Sequence, residues 1–296
     1  MVLAEPIVAG AADLTAAVLA ALDDPPASTD RTIEAEGIPF FVRSWGDPTA
    51  PPLLLVHGVT ASSRVWWRVG PALGVAFGRH VLAPDQAGHG RTGHWAGRVA
   101  FADNARSIAA LIDAAGIAGP DLRVVGHSWG AMTVAWLPFA GVVPAVTVLL
   151  DPPVVSLAGM TSMLEDPVER RYDELREAVA AIARLHPTWP YGDIEAKAEA
   201  LTQLDEAAVR AILTENGDWD GGLAGLATPE AAAACVRVVR GEPAFGGLVP
   251  DSAALLVAER LGPSNVLTIA RGTHSPMRQQ PEGTVAVLAR ALARAS

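Results

Sequence analysis

LRVVGHSWGAMTVAW, residues 122–136, sets a serine between two glycines at the junction of two apolar runs. LRVVG has the short, continuous apolar pattern of a strand buried on both faces, and AMTVAW stays apolar as the start of a predicted helix. Ser128 falls on the turn between them. Gly126 and Gly130 remove side chains where strand and helix must pass close together, so Ser128 can hold a strained backbone with its Oγ directed outward. Gly-x-Ser-x-Gly in a strand-turn-helix context is the pattern of a nucleophile elbow. The short pattern alone does not separate a nucleophile from a serine in a Gly-rich turn; the rest of the chain has to do so.

Working outward, strand and helix patterns alternate. TIEAEGIPFFVRSWG (32–46) reads as two strands joined at Gly37, and PPLLLVHG (51–58) and HVLAPD (80–85) read as short apolar strands. FADNARSIAALIDAAG (101–116) puts Ile108, Leu111, Ile112 and Ala115 on one helix face, and VTVLLD (146–151), CVRVVRG (235–241) and NVLTIA (265–270) continue the strands. Such alternation predicts an α/β fold, a largely parallel sheet with helices on both faces, whose ligands bind beyond the carboxyl ends of the strands. Residues 152–228 break the rhythm. Only helical patterns occur there, such as Val168, Tyr172, Leu175, Val179 and Ile182, then Val209, Ile212 and Leu213, and no strand is predicted. The expected organisation is therefore a core of residues 1–151 and 229–296 with a helical insertion, 152–228, over the carboxyl edge. Leu14, Val18 and Leu22 add an apolar stripe to an N-terminal helix expected over 11–22, stopped by Asp23-Asp24-Pro25-Pro26.

Composition narrows the partners. The chain has 296 residues, half of them hydrophobic at 50%, which suffices for a large buried core. A formal charge of -10 repels nucleic acid and anionic membrane, leaving a small or neutral partner. Cys235 is the sole cysteine, so neither an intrachain disulfide nor a Cys-rich metal site is expected. His57, His89 and His94 have no metal-ligand spacing, and no cofactor is implied. The N-terminus lacks a basic leader, carrying Glu5 and Asp13 instead, and no apolar run reaches transmembrane length; a cytoplasmic location is the expectation, with the oligomeric state left open.

A serine hydroxyl needs a base. His274, in NVLTIARGTHSPMRQQPEGTVAVL, follows a strand end and a Gly-Thr turn and precedes the closing helix. His127 adjoins the serine but is expected to point elsewhere on a tight turn, and His80 and His186 sit in unrelated contexts.

From Thr32 to Ala293 the chain resembles the α/β-hydrolase family. The matching stretches are LLLVHGVTASSRVWW, HVLAPDQAGHGRTG, VVGHSWGAM, VLLDPP and GTHSPMRQQPE, in the family's order. The resemblance implies an eight-stranded, mostly parallel sheet with a helical cap, and a Ser-acid-His triad at the carboxyl edge. A serine at the elbow implies ester or other acyl hydrolysis, whereas the family's dehalogenases and epoxide hydrolases carry aspartate there. It also implies two oxyanion donors, the backbone N–H groups of Val59 and of Trp129. His57, Asp85, His89 and Gly90 are assigned to loop architecture. The acid departs from the commoner family pattern, because Ala244 stands where most members carry aspartate. Asp151, at the end of VTVLLD, is the first choice to orient His274, Glu242 is the rival, and Asp251 is expected to cap a helix. Trp129, Trp66, Trp67, Trp189 and Trp219 together suggest an apolar pocket. The expected function is a carboxylesterase or lactonase acting on small to medium hydrophobic substrates. Carbon-carbon bond hydrolase, perhydrolase, acyltransferase and a non-catalytic ligand-binding member of the fold are the alternatives.

Overall fold

The computed structural model describes residues 3–94 and 97–293. The ends of the expected core, residues 1–2 and 294–296, lie outside the described residues. Among the described residues ten strands form: β1 (Thr29–Ala35), β2 (Ile38–Trp45), β3 (Pro52–Val56), β4 (His80–Pro84), β5 (Arg123–His127), β6 (Val146–Leu150), β7 (Val154–Val155), β8 (Trp219–Asp220), β9 (Val236–Arg240) and β10 (Val266–Thr268). Eight of them make one sheet in the order β1-β2-β4-β3-β5-β6-β9-β10. Only β2 runs against its neighbours; the rest of the sheet is parallel. The mostly parallel eight-stranded α/β fold read from the sequence is the fold observed.

The helices are α1 (Ala16–Asp23), α2 (Val69–Phe77), α3 (Phe101–Ala114), α4 (Trp129–Ala135), α5 (Leu157–Ser162), α6 (Leu175–Leu185), α7 (Tyr191–Thr202), α8 (Glu206–Glu215), α9 (Leu223–Leu226), α10 (Asp251–Leu261), α11 (Pro276–Gln279) and α12 (Pro281–Leu292). The two-residue period of a strand sends alternate side chains to opposite faces. Leu54 and Val56 of β3 therefore belong to one cluster with Ile108 and Ile112 of α3, Val134 of α4 and Val257 of α10. Leu53 and Leu55, on the other face, share a cluster with Leu22 of α1, Leu73 of α2 and Leu288 of α12. Both faces being covered explains why these strands read as unbroken apolar runs.

Register sets where the site can form. Val56 pairs with Gly126, His127 with Leu150, and Leu150 with Val239, so β3, β5, β6 and β9 end side by side at the carboxyl edge. The two elbow glycines have a steric origin. A Cβ at Gly126 would lie 2.3 Å from the Gly130 carbonyl oxygen, and one at Gly130 would lie 2.5 Å from the carbonyl oxygens of both Val56 and His57. Backbone cannot yield as a side chain can, so Gly130→Ala is expected to cost about 3 kcal/mol or more. Gly116→Ala, at a turn with nothing within 4 Å of the added Cβ, should cost only the left-handed penalty of about 1–2 kcal/mol. Urea midpoints of the two variants check this; equal shifts would contradict the steric account.

Three expectations are corrected. The N-terminal helix does not run over 11–22: Thr15 is extended (φ -73, ψ 158) and its Oγ1 caps Val18 N–H, so α1 starts at Ala16 and Ala11–Asp13 form a separate 3-10 turn. Residues 152–228 hold not only α5–α9 but a ribbon in which β7 pairs antiparallel with β8, strands too short for any periodicity to reveal. Asp251 does not cap α10; Pro250 occupies that position, and the Asp251 carboxylate pairs with Arg240 at 2.7 Å.

Within 152–228, Ile182, Leu201, Ile212 and Trp219 form a third cluster that includes Val59, Trp129 and Met132 from beside the elbow. Helix α7 is pinned to the segment after β3: Arg64 pairs with Glu195 and Glu199, and Arg68 with Asp193 at 2.7 Å. Among the described residues no helix is long and apolar enough to cross a membrane.

Candidate active site

Strand β5 ends at His127 and the chain turns sharply at Ser128 (φ 54, ψ -122), a conformation that non-glycine residues adopt only at a cost. The Ser128 N–H donates to the Leu150 carbonyl at 3.0 Å, fixing the elbow to β6. The chain after β10 carries His274 back over the sheet edge. Its Nε2 lies 3.0 Å from Ser128 Oγ and its Nδ1 lies 2.7 Å from Asp151 Oδ2. A carboxylate can only accept, so Nδ1 carries the proton and Nε2 is left to accept from the Ser128 hydroxyl.

Asp151 directly follows β6, also at positive φ (43), and is fully buried. Its Oδ1 accepts from Gly241 N–H at 2.9 Å, and Oδ2 accepts from Leu248 N–H at 2.9 Å as well as from His274. Three donors compensate the buried charge. Glu242 lies elsewhere: its Oε1 accepts from Arg271 N–H at 2.7 Å, holding the turn before His274 rather than the imidazole. Gly241 explains the close approach of β9 to that loop, since a Cβ there would meet the Gly272 and Thr273 carbonyl oxygens at 2.6 and 2.7 Å.

The backbone N–H groups of Val59 and Trp129 donate to no acceptor among the described residues. The Val59 carbonyl is held by His89 Nε2 at 2.5 Å. His57 donates from Nδ1 to the Gly58 carbonyl at 2.7 Å and accepts at Nε2 from Gln86 N–H at 2.9 Å. Burial, reinforced by nearby His89, drives the His57 pKa down to about 3, and burial lowers His89 too, so both are neutral loop braces. Asp85 accepts from Ser63 N–H at 2.6 Å and Arg91 N–H at 2.8 Å.

His127 does not point away from the site. It lines the same cavity as Ser128, and its Nε2–H donates to the His274 carbonyl at 2.7 Å, tethering the loop that carries the imidazole. Burial, with His274 alongside, keeps it well below the usual histidine range. Its position immediately before Ser128 is the one signal that could have marked it.

The cavity at the elbow has a volume of about 370 Å³, within the range of small-ligand sites. Of the five tryptophans expected to line it, only Trp189 does. Trp66 is buried in the core beneath the sheet, and Trp67 Nε1 donates to Asp193 at 2.9 Å. Trp129 stacks on His89 with ring centroids 5.0 Å apart, and Trp219 packs edge-on against Phe101 at 5.2 Å. In their place the wall carries Lys197, Glu169 and Arg278. Lys197, the only lysine in the chain, donates to Thr60 O at 2.9 Å, Thr60 Oγ1 at 2.7 Å and the Glu169 carboxylate. These side chains come from α7, α11 and the segment before α6, so no local pattern announces them. Among the described residues no group of three or more His, Cys, Asp or Glu is placed to hold a metal ion.

A parallel sheet of this order, with a strained serine turn after β5 facing a histidine beyond β10, is the architecture of one fold class. The chain belongs to the α/β-hydrolase fold family, whose model matches residues 51–207. It is similar to Epoxide hydrolase A of Mycobacterium tuberculosis, 38% identical over 109 residues (36% of this chain, 33% of that protein). It is also similar to Lipase LipV of the same organism, 33% identical over 155 residues (51% of this chain, 56% of that protein). The chain thus spans from a third to just over half of these relatives. Among solved structures, E-2-(acetamidomethylene)succinate hydrolase superposes with TM-score 0.71 at 23% identity, covering 90% of this chain and 99% of that one. The esterase RhEst1 from Rhodococcus superposes with TM-score 0.66 at 19% identity, covering 90% and 98%. At these identities the likeness is one of fold.

Proposed function

We propose that this chain is a serine hydrolase that cleaves ester or lactone bonds through an acyl-enzyme intermediate. The observation that carries the proposal is the continuous chain from Asp151 through His274 to Ser128 Oγ beside two backbone N–H groups that donate to no acceptor among the described residues. His274 Nε2 takes the Ser128 proton as Oγ attacks the carbonyl carbon, and Asp151 stabilises the imidazolium that forms. The oxyanion accepts from Val59 and Trp129 N–H, donors that need no reorganisation. The imidazolium then protonates the leaving alkoxide, the acyl group stays on Oγ, and water repeats the sequence in reverse to release the acid. Residues 152–228 act as a cap that shapes the acyl side of the cavity through Trp189. The lipase relative supports this reading. The epoxide hydrolase relative does not redirect it, because Ser128 stands where that chemistry uses aspartate.

An activated fluorophosphonate is expected to add to Ser128, giving one covalent increment in the intact mass, and to leave Ser128→Ala unlabelled. Labelling of the alanine variant at the same rate would overturn the proposal and favour a ligand-binding role.

A further inference from the structure

Arg278 lines the cavity beside the elbow, is only 5% exposed, and has no ion-pair or hydrogen-bond partner for its side chain among the described residues. Among the described residues no carboxylate lies within ion-pair distance of its guanidinium, no acceptor bonds to it, and Nε is buried without a partner. The two acidic groups whose fields reach it are already engaged: Asp193 with Arg68 at 2.7 Å and Trp67 at 2.9 Å, and Glu169 with Lys197. What holds the guanidinium is the ring of Trp189, with its carbon 4.8 Å from the centroid, and that ring is stacked on His186 at 3.7 Å. Burial keeps His186 neutral near pH 7, and Lys197 and Glu169 cancel, so Arg278 is the uncompensated charge on the cavity wall.

A desolvated guanidinium without a counter-charge is expensive unless a ligand supplies one. We propose that Arg278 is the substrate-anchoring residue and that the substrate of the Ser128 site carries a carboxylate remote from its scissile acyl bond. This rests on the serine-hydrolase reading above and names its substrate class. The planar fork of donors matches a carboxylate bidentately. One positive charge matches a monoanion, whereas a phosphate dianion would bring a second negative charge into the same buried wall uncompensated. Because Arg278 sits on α11, which opens directly after the His274 loop, the anchor and the base are carried by one short rigid segment. Its backbone carbonyl is further held by Arg68 Nη2 at 3.2 Å.

The test compares the 4-nitrophenyl hydrogen esters of succinate, glutarate and adipate with the corresponding 4-nitrophenyl methyl diesters. Each pair shares its acyl chain, the carboxylate being free in one and methylated in the other. Enzyme-free hydrolysis is subtracted. At the best chain length the unsubstituted protein is expected to favour the free acid in kcat/KM by about 10²-fold, chiefly through KM. Arg278→Gln should bring that ratio near unity, and Arg278→Lys, which keeps the charge and loses the fork, should lie between. The comparison within the unsubstituted protein does not depend on either variant folding. A protein that turns over the methyl diesters with no preference for the free acids at any length overturns the anchor while leaving the serine hydrolase standing. So does an undiminished preference in folded Arg278→Gln. A protein that hydrolyses none of these esters and takes no fluorophosphonate at Ser128 fails the underlying reading instead.

Discussion

Asp151→Asn should lower turnover of an activated ester about 10⁴-fold, and Glu242→Gln should stay within a few-fold of the unsubstituted protein. The asymmetry follows from the hydrogen-bond accounting at His274. Asp151 Oδ2 receives Nδ1–H at 2.7 Å, which leaves Nε2 unprotonated and facing Ser128 Oγ at 3.0 Å. An asparagine amide offers N–H groups as well as an oxygen, and with its nitrogen toward the ring the proton moves to Nε2, where it can no longer take the serine's. Glu242 makes no contact with the imidazole; its carboxylate supports Arg271 N–H in a turn at positive φ (55). Glutamine keeps an oxygen that can accept that bond, so the change costs at most about 1 kcal/mol of local stability and no catalytic tautomer. Asp151 is also a buried, three-donor acceptor, so its removal destabilises the fold. Both variants are therefore to be compared at temperatures where circular dichroism reports full folding. A collapse of turnover in Glu242→Gln with near-normal Asp151→Asn would place the acid after β9.

The second expectation is a steep loss of stability in mild acid. His57, His89 and His127 are buried and neutral, each with its pKa lowered chiefly by desolvation, His57 to about 3 and His127 well below the usual range. In the unfolded chain each returns to a pKa of about 6.5. Between those values the unfolded state binds a proton that the folded state does not, so stability is complete above about pH 6.5 and falls as the pH drops towards the folded pKa. For His57 alone the loss is about 1.4 kcal/mol per pH unit, or about 2 kcal/mol by pH 5. His127 and His89 act in the same direction. Burial raises the Asp85 pKa, which works the opposite way. Urea titrations at pH 7 and pH 5 should differ by about 2 kcal/mol or more, a sizeable share of a typical domain's stability. His57→Gln, which keeps a donor and an acceptor, should flatten the dependence by about one proton. Equal stability at the two pH values would contradict the assignment of buried neutral histidines.

What the sequence determined by itself is what depends on neighbours along the chain. The largely apolar runs of β3 to β6, β9 and β10 follow from strands covered on both faces, and their alternation with amphipathic helices is enough for a parallel sheet with helices on each side. The backbone of Ser128 is local in the same sense, because Gly126, two residues before it, records the close approach of the adjacent β5 and α4, although Gly130 answers to the end of β3. Sequence alone could not settle what lies opposite what. Asp151 and Glu242 both follow strand ends, and only the packing of Gly241 against the His274 loop sends the N–H of one segment to Asp151 and turns Glu242 towards Arg271. The tryptophans mislead for the same reason. Their size ensures burial, but burial beneath the sheet, against His89 or under α7 is decided by tertiary packing, which leaves Trp189 alone at the cavity wall. Arg278, Lys197 and Glu169 meet there from segments far apart in the chain. A charged residue in a sequence reads by default as a solvated one, and only the folded structure takes these three out of water.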